Sequence, residues 1–204
     1  TTRFDSSVKE NRVQYLALLA KAARVRALAE GVPFIPPPEA LAEAPKTVQE
    51  EGRAYEASTS TLNAQLSIAQ QQLSQRQQEL VEMQAKREQA SRAYELTVKE
   101  LGFTKPLLKD GAVSEVELLR LERDAGRFLG EREMASAQIS KTQAAVVEAS
   151  RKIQEITLNF QSEARKELSE TLAKLNVSSA GGVGLADKVD KSALRSPVRG
   201  TVKR

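Results

Sequence analysis

Two stretches of the chain repeat an apolar residue at alternating steps of four and three. The first runs through Leu62, Leu66, Ala69, Leu73, Leu80, Met83, Ala90, Tyr94 and Leu101. The second runs through Leu118, Leu121, Ala125, Phe128, Ala135, Ile139, Val146, Ala149, Ile153, Ile156 and Phe160. A sustained seven-residue apolar repeat keeps one seam turned toward a partner helix under left-handed supercoiling. Each stretch therefore predicts a coiled-coil helix of roughly 55 to 60 residues, about 85 Å long at about 1.5 Å per residue. Arg76, Arg87 and Arg132 fall on seam positions and interrupt the pattern. Past Phe160 the spacing becomes Ala164, Leu168, Leu172, a four-residue stutter that locally unwinds a supercoil.

Prolines and glycines set the boundaries. Four of the seven prolines stand at positions 33, 36, 37 and 38, just after Gly31. Residues 31–38 are thus expected not to be helical, and 31–45 forms a Pro-rich break. Before it, residues 5–30 predict one helix capped by Asp5 or Ser6, with Val8, Tyr15, Leu16, Leu19, Ala22, Ala23 and Ala27 on one face. Hairpin helix one is expected over 46–102, ended or kinked by Gly102 and Pro106. The tip is expected over 103–113, with Asp110-Gly111 supplying a turn of positive φ. Ser114 and Glu117 read as a capping box that opens helix two over 114–176. A short connection between two long helices of matched length predicts an antiparallel hairpin. The pattern fades near Leu175, and Asn176 to Gly184 reads as a flexible loop inside a linker over 177–194. Residues 195–204 read as extended chain, turn and strand.

Composition agrees with long helices. Of 204 residues 28% are charged, the aromatics are five Phe and three Tyr, and there is no Trp. The absence of Cys and His excludes disulfides, zinc sites built on those residues, and triads that need them. Carboxylate pairs such as Glu50-Glu51, or Glu131 with Glu133, lie on a polar helical surface, so no catalytic, cofactor or metal site is expected and the chain is not read as an enzyme. Gly181-Gly182-Val183-Gly184 lacks the Lys-Ser/Thr and the preceding strand of a phosphate loop. The 31 basic and 27 acidic residues, net +4, are interleaved, which argues against nucleic acid as a partner. No run of about 18 apolar residues occurs. The start at Thr1-Thr2-Arg3-Phe4-Asp5, without Met or a signal sequence, reads as the start of an excised fragment.

The terminal stretch Ala193-Leu194-Arg195-Ser196-Pro197-Val198-Arg199-Gly200-Thr201-Val202-Lys203-Arg204 resembles the opening of a lipoyl-type half motif in bacterial membrane fusion proteins, the periplasmic adaptors. Pro197 suits a strand edge, Gly200 a tight turn, and Val198 and Val202 would share an inward face beside Ser196. At the other end, Phe4-Asp5, then Leu16 to Gly31 with Lys21, Arg24 and Arg26, then Pro33-Phe34-Ile35-Pro36, is similar to the HlyD-type adaptors of type I secretion. In that family an extra helix and an apolar-proline break precede the hairpin. The resemblance covers essentially the whole chain. It implies an all-α fold: a long antiparallel coiled-coil hairpin with an extra N-terminal helix and the start of a lipoyl-like β half motif.

The resemblance also implies a function. Such adaptors are anchored in the inner membrane of Gram-negative bacteria beside an ABC transporter. They assemble as homo-oligomers, usually hexamers, and meet a TolC-like outer-membrane channel with their hairpin tips, so that an exported protein can pass. The fragment would be periplasmic. In the wider family the tip carries an Arg, a Leu four residues on and a Ser seven further on. Leu107 and Ser114 match that spacing, whereas Phe103 stands at the Arg position, with Lys105 or Lys109 left to supply the charge. The tip residues singled out are thus Phe103, Lys105, Leu107, Val113 and Ser114. Two alternatives remain open: the adaptor of a multidrug efflux pump, which shares the lipoyl piece, and a purely structural coiled-coil scaffold.

Overall fold

The computed structural model describes residues 2–192, with side chains over 6–188. Four helices follow one another: α1 (Thr2–Glu30), α2 (Pro38–Glu43), α3 (Pro45–Lys109) and α4 (Glu115–Ser192). Among the described residues there is no strand, and no helix is long and apolar enough to cross a membrane. The Ser196–Val202 segment singled out as lipoyl-like lies outside the described residues. The chain forms two compact units, Thr1–Ala64 with Ile156–Arg204, and Gln65–Glu155.

The first unit is a packing of α1 and α2 against the start of α3 and the later part of α4. Leu16, Ala20, Ala40 and Val48 form one buried cluster. Val25, Leu28, Ala29 and Ala164 form a second, flanked by Tyr55, Phe160 and Leu168. Burying a side chain such as Val25 or Leu28 stabilises by about 1.5–3 kcal/mol. The buried face of α1 is wider than the predicted stripe, because α1 meets three other helices and Val25, Leu28 and Ala29 join its core. Asp5 and Ser6 lie inside α1 rather than capping it.

Charge pairs reinforce the same junctions. Arg24 reaches Glu51 on α3 and Glu167 on α4, the latter at 3.5 Å, and Lys21 Nζ lies 3.0 Å from Glu167. Burial would raise the Glu167 pKa, but the hydrogen bond and charge of Lys21, together with Arg24, lower it overall. Arg12 grips Glu39 and Glu43, each at 2.6 Å. That hydrogen bonding holds Glu43 below the usual carboxylate range.

The Pro-rich break is ordered by specific contacts. Gly31 ends α1 at φ +69°, with the Val32 N–H donating to the Ala27 carbonyl at 3.0 Å. Tyr55 Oη donates to the Val32 carbonyl at 2.9 Å, and its ring stacks on Phe34 at 6.0 Å. The break is shorter than predicted. Pro38 opens α2 and Pro45 opens α3, since a first-turn N–H has no intrahelical acceptor to lose.

In the second unit α3 and α4 run antiparallel around the turn at 110–114. Met83 and Gln138 line one concavity, together with Ala93 and Phe128, so numbers rise along α3 as they fall along α4. Ala69, Ala90, Leu121, Ala125, Ala135 and Ile139 are buried on the predicted seam. Thr97 and Thr142 complete it, each donating its hydroxyl to a carbonyl four residues back, on Ala93 and Gln138. Arg76 and Arg87 turn outward, and the Arg132 guanidinium lies over the Tyr94 ring at 5.3 Å.

Both predicted helix ends move outward. α3 continues through Gly102 and Pro106 to Lys109. Pro106 deprives only the Gly102 carbonyl of a donor, and Gly102 is exposed to water. α4 continues through the predicted linker to Ser192. After the stutter its seam runs Ala164, Leu168, Thr171, Leu175, Ser178, Gly182, Leu185, an unbroken heptad written partly in small and polar residues. Gly182 lies against α1: a Cβ there would come within 2.8 Å of Asn11 Oδ1.

Candidate functional site

The α3–α4 turn gathers the residues singled out at the tip. Gly111 adopts φ +73°, its N–H donates to the Leu108 carbonyl at 3.2 Å, and the Ala112 N–H donates to the Leu107 carbonyl at 3.1 Å. This paired closure satisfies the last carbonyls of α3 and requires a left-handed residue, which only Gly supplies without strain. Ser114 starts α4: its Oγ accepts the Glu117 N–H at 3.3 Å. The reciprocal half of the capping box is replaced, because the Glu117 carboxylate accepts from Arg120 at 3.0 Å instead.

Phe103 (72% exposed) and Leu107 (43%) stand one turn apart on α3. Lys105 and Ser114 are exposed, whereas Val113 is half-buried in the turn. Sequence reasoning missed two neighbours. Val116 (76% exposed) and Leu119 (62%) look like the first core residues of a helix, yet they face solvent, and Leu118 and Leu121 take the inward positions. Their three-residue spacing, out of phase with Leu118 and Leu121, was the available signal. The turn thus presents four large apolar side chains to solvent, two from each helix. Lys105 and Lys109 border them on α3, with Lys109 in the last turn where a cation complements the helix dipole.

Such a surface suits contact rather than chemistry. Among the described residues no group of His, Cys, Asp and Glu is placed to hold a metal ion.

Residues 4–180 match the family model for AprE, long alpha-helical hairpin. The chain belongs to this AprE hairpin family. Comparison with curated proteins gives no match. Among solved structures, this AprE-type hairpin is similar to the soluble domain of LipC, described as a membrane fusion protein of a type I secretion system. The TM-score is 0.89 at 18% identity, over 96% of this chain and 76% of that one. At that identity the likeness speaks for the fold: the extra helix, the break and the hairpin.

Proposed function

We propose that this chain is the helical-hairpin region of a membrane fusion protein of type I secretion. In this reading it is a non-enzymatic periplasmic adaptor that works between an inner-membrane ABC transporter and a TolC-like outer-membrane channel, as one of several copies, while an exported protein passes. The carrying observation is the exposed apolar group Phe103, Leu107, Val116 and Leu119 at the turn of an AprE-family hairpin. Large apolar side chains displayed together at a helical turn favour a partner surface over water. The LipC likeness and the sequence resemblance to HlyD-type adaptors support the same reading, and α1 favours it over a multidrug-pump adaptor, which usually lacks the extra helix. Residues 195–204 are proposed to begin the second half of a lipoyl-like domain.

The test is export in cells making the full-length protein. Leu107→Asp and Val116→Asp are expected to abolish export at unchanged protein level and helicity. Gln70→Asp, on an exposed part of α3, should be tolerated. Normal export by Leu107→Asp and Val116→Asp would overturn the docking assignment.

A further inference from the structure

The Pro-rich break between α1 and α2 is fixed residue by residue. Pro33, Pro36 and Pro37 set their own φ, and Val32, Ile35, Pro36 and Pro37 each precede a proline, which drives them to extended geometry. Pro37, at φ −60° and ψ 133°, lies in the polyproline II region. Phe34 alone escapes both constraints. Its ring is held instead by stacking on Tyr55 and by the space over Gly52, where an added Cβ would lie 3.9 Å from Phe34 Cε1.

A polyproline II strand repeats every three residues. Phe34 and Pro37, both half-buried, therefore share the inward edge, whereas Val32, Ile35 (78% exposed) and Pro38 share the outward one. Exposed Leu41 extends that edge onto α2. Over residues 32–38 the ridge is about 19 Å long at about 3.1 Å per residue. It is apolar and poor in donors, since within 33–38 only Phe34 and Ile35 carry a backbone N–H. Its acceptors are free. The Val32 and Pro37 carbonyls accept from Tyr55 and from the Leu41 N–H, but no hydrogen bond among the described residues reaches the carbonyls of residues 33–36.

We propose that this ridge docks into an aromatic-lined groove of a different protein, of the kind that takes polyproline II segments, with Ile35 as its central anchor. Such a groove offers ring faces to Val32, Ile35 and Pro38, and indole or phenol donors to the free carbonyls. A lipid bilayer suits the apolar edge but has no donor for those carbonyls, which makes their burial in hydrocarbon unfavourable. A second copy of this chain offers no such groove. It has no Trp, Tyr55 is engaged behind the strand, and Arg12 and Arg132 lie over the rings of Tyr15 and Tyr94. Because the strand is already fixed in shape, docking costs little ordering entropy.

The test uses full-length protein in cells, with a photoreactive benzophenone amino acid in place of Leu41. Illumination is expected to give an adduct with a different protein, and peptide mass spectrometry to place the link beside Trp or Tyr residues of that protein. Ile35→Ser should lower the adduct at least about ten-fold, as expected on losing one buried aliphatic anchor, and should leave thermal stability unchanged because Ile35 faces water. Ile35→Leu should retain the adduct. Pro36→Gly, which frees the backbone but keeps Ile35, should lower it. No adduct, an adduct with lipid or with a second copy of this chain, a link away from aromatic residues, or an adduct that survives Ile35→Ser or Pro36→Gly would each overturn the proposal. Export is not the readout, so the outcome is independent of the docking turn.

Discussion

Replacing Gly184 by Ala tests whether α4 continues past Leu175. Three glycines in four residues, Gly181, Gly182 and Gly184, each weaken a helix by about 1 kcal/mol relative to Ala. That makes the segment read as a loop in sequence, yet α4 runs through it to Ser192. A Cβ at Gly184 meets nothing within 4 Å, so Gly184→Ala should return nearly the full propensity, about 0.8–1 kcal/mol. At Gly182 the new Cβ would land 2.8 Å from Asn11 Oδ1, so the Asn11 side chain must rotate away and the gain should be smaller. In the Asn11→Ala background Gly182→Ala should recover it, a coupling of at least about 0.5 kcal/mol in a double-mutant cycle. The assay is native-state amide exchange over residues 177–188, where about 1 kcal/mol of added local stability slows exchange roughly five-fold. A neutral Gly184→Ala with fast exchange throughout the segment would show that it is not helical in solution. A Gly182→Ala effect equal to that of Gly184→Ala and independent of Asn11 would refute the close approach of α1 and α4.

Leu28→Ala, inside the cluster that joins α1, α3 and α4, should destabilise by about 2–4 kcal/mol in chemical denaturation; a loss under 1 kcal/mol would mean α1 is not held there. Arg24→Met leaves the mostly buried Glu51 carboxylate without its cation and should cost about 1–3 kcal/mol, whereas Arg12→Met, on exposed carboxylates, should change little; equal effects would contradict the difference in burial. Glu167 and Glu43 have pKa values lowered by folding, so their contribution to stability is complete above the ordinary glutamate value and is lost as pH falls through their lowered folded values. Denaturation midpoints should therefore fall on acidification across that window, and Glu167→Gln should flatten the dependence; an unchanged slope in that variant would show that the lowered Glu167 pKa is not coupled to folding.

The seam of the hairpin was legible in the sequence because Leu, Ile, Ala and Met at heptad spacing leave few alternatives to a two-helix seam. Gly111 and Ser114 were legible for a related reason: a left-handed turn and an N-cap each demand a particular residue type. The resemblance to secretion adaptors, carried by the Pro-rich break and the extra helix, agrees with the family match over residues 4–180. Other seam positions were hidden by chemistry. Thr97, Thr142 and Thr171 are buried, yet look polar, because each hydroxyl is satisfied by its own helix four residues back. Only tertiary structure shows that Gly181 to Gly184 are helical, since the stabilising contact comes from α1, some 170 residues away in the chain. The inward places of Leu118 and Leu121 follow the heptad spacing read in the sequence, and the structure adds that Val116 and Leu119, out of phase with it, are left facing water. Local pattern thus decided which segments coil and where they turn. Packing between segments distant in sequence decided where the helices end and which apolar side chains remain free for a partner, because those energies depend on neighbours that no local window contains.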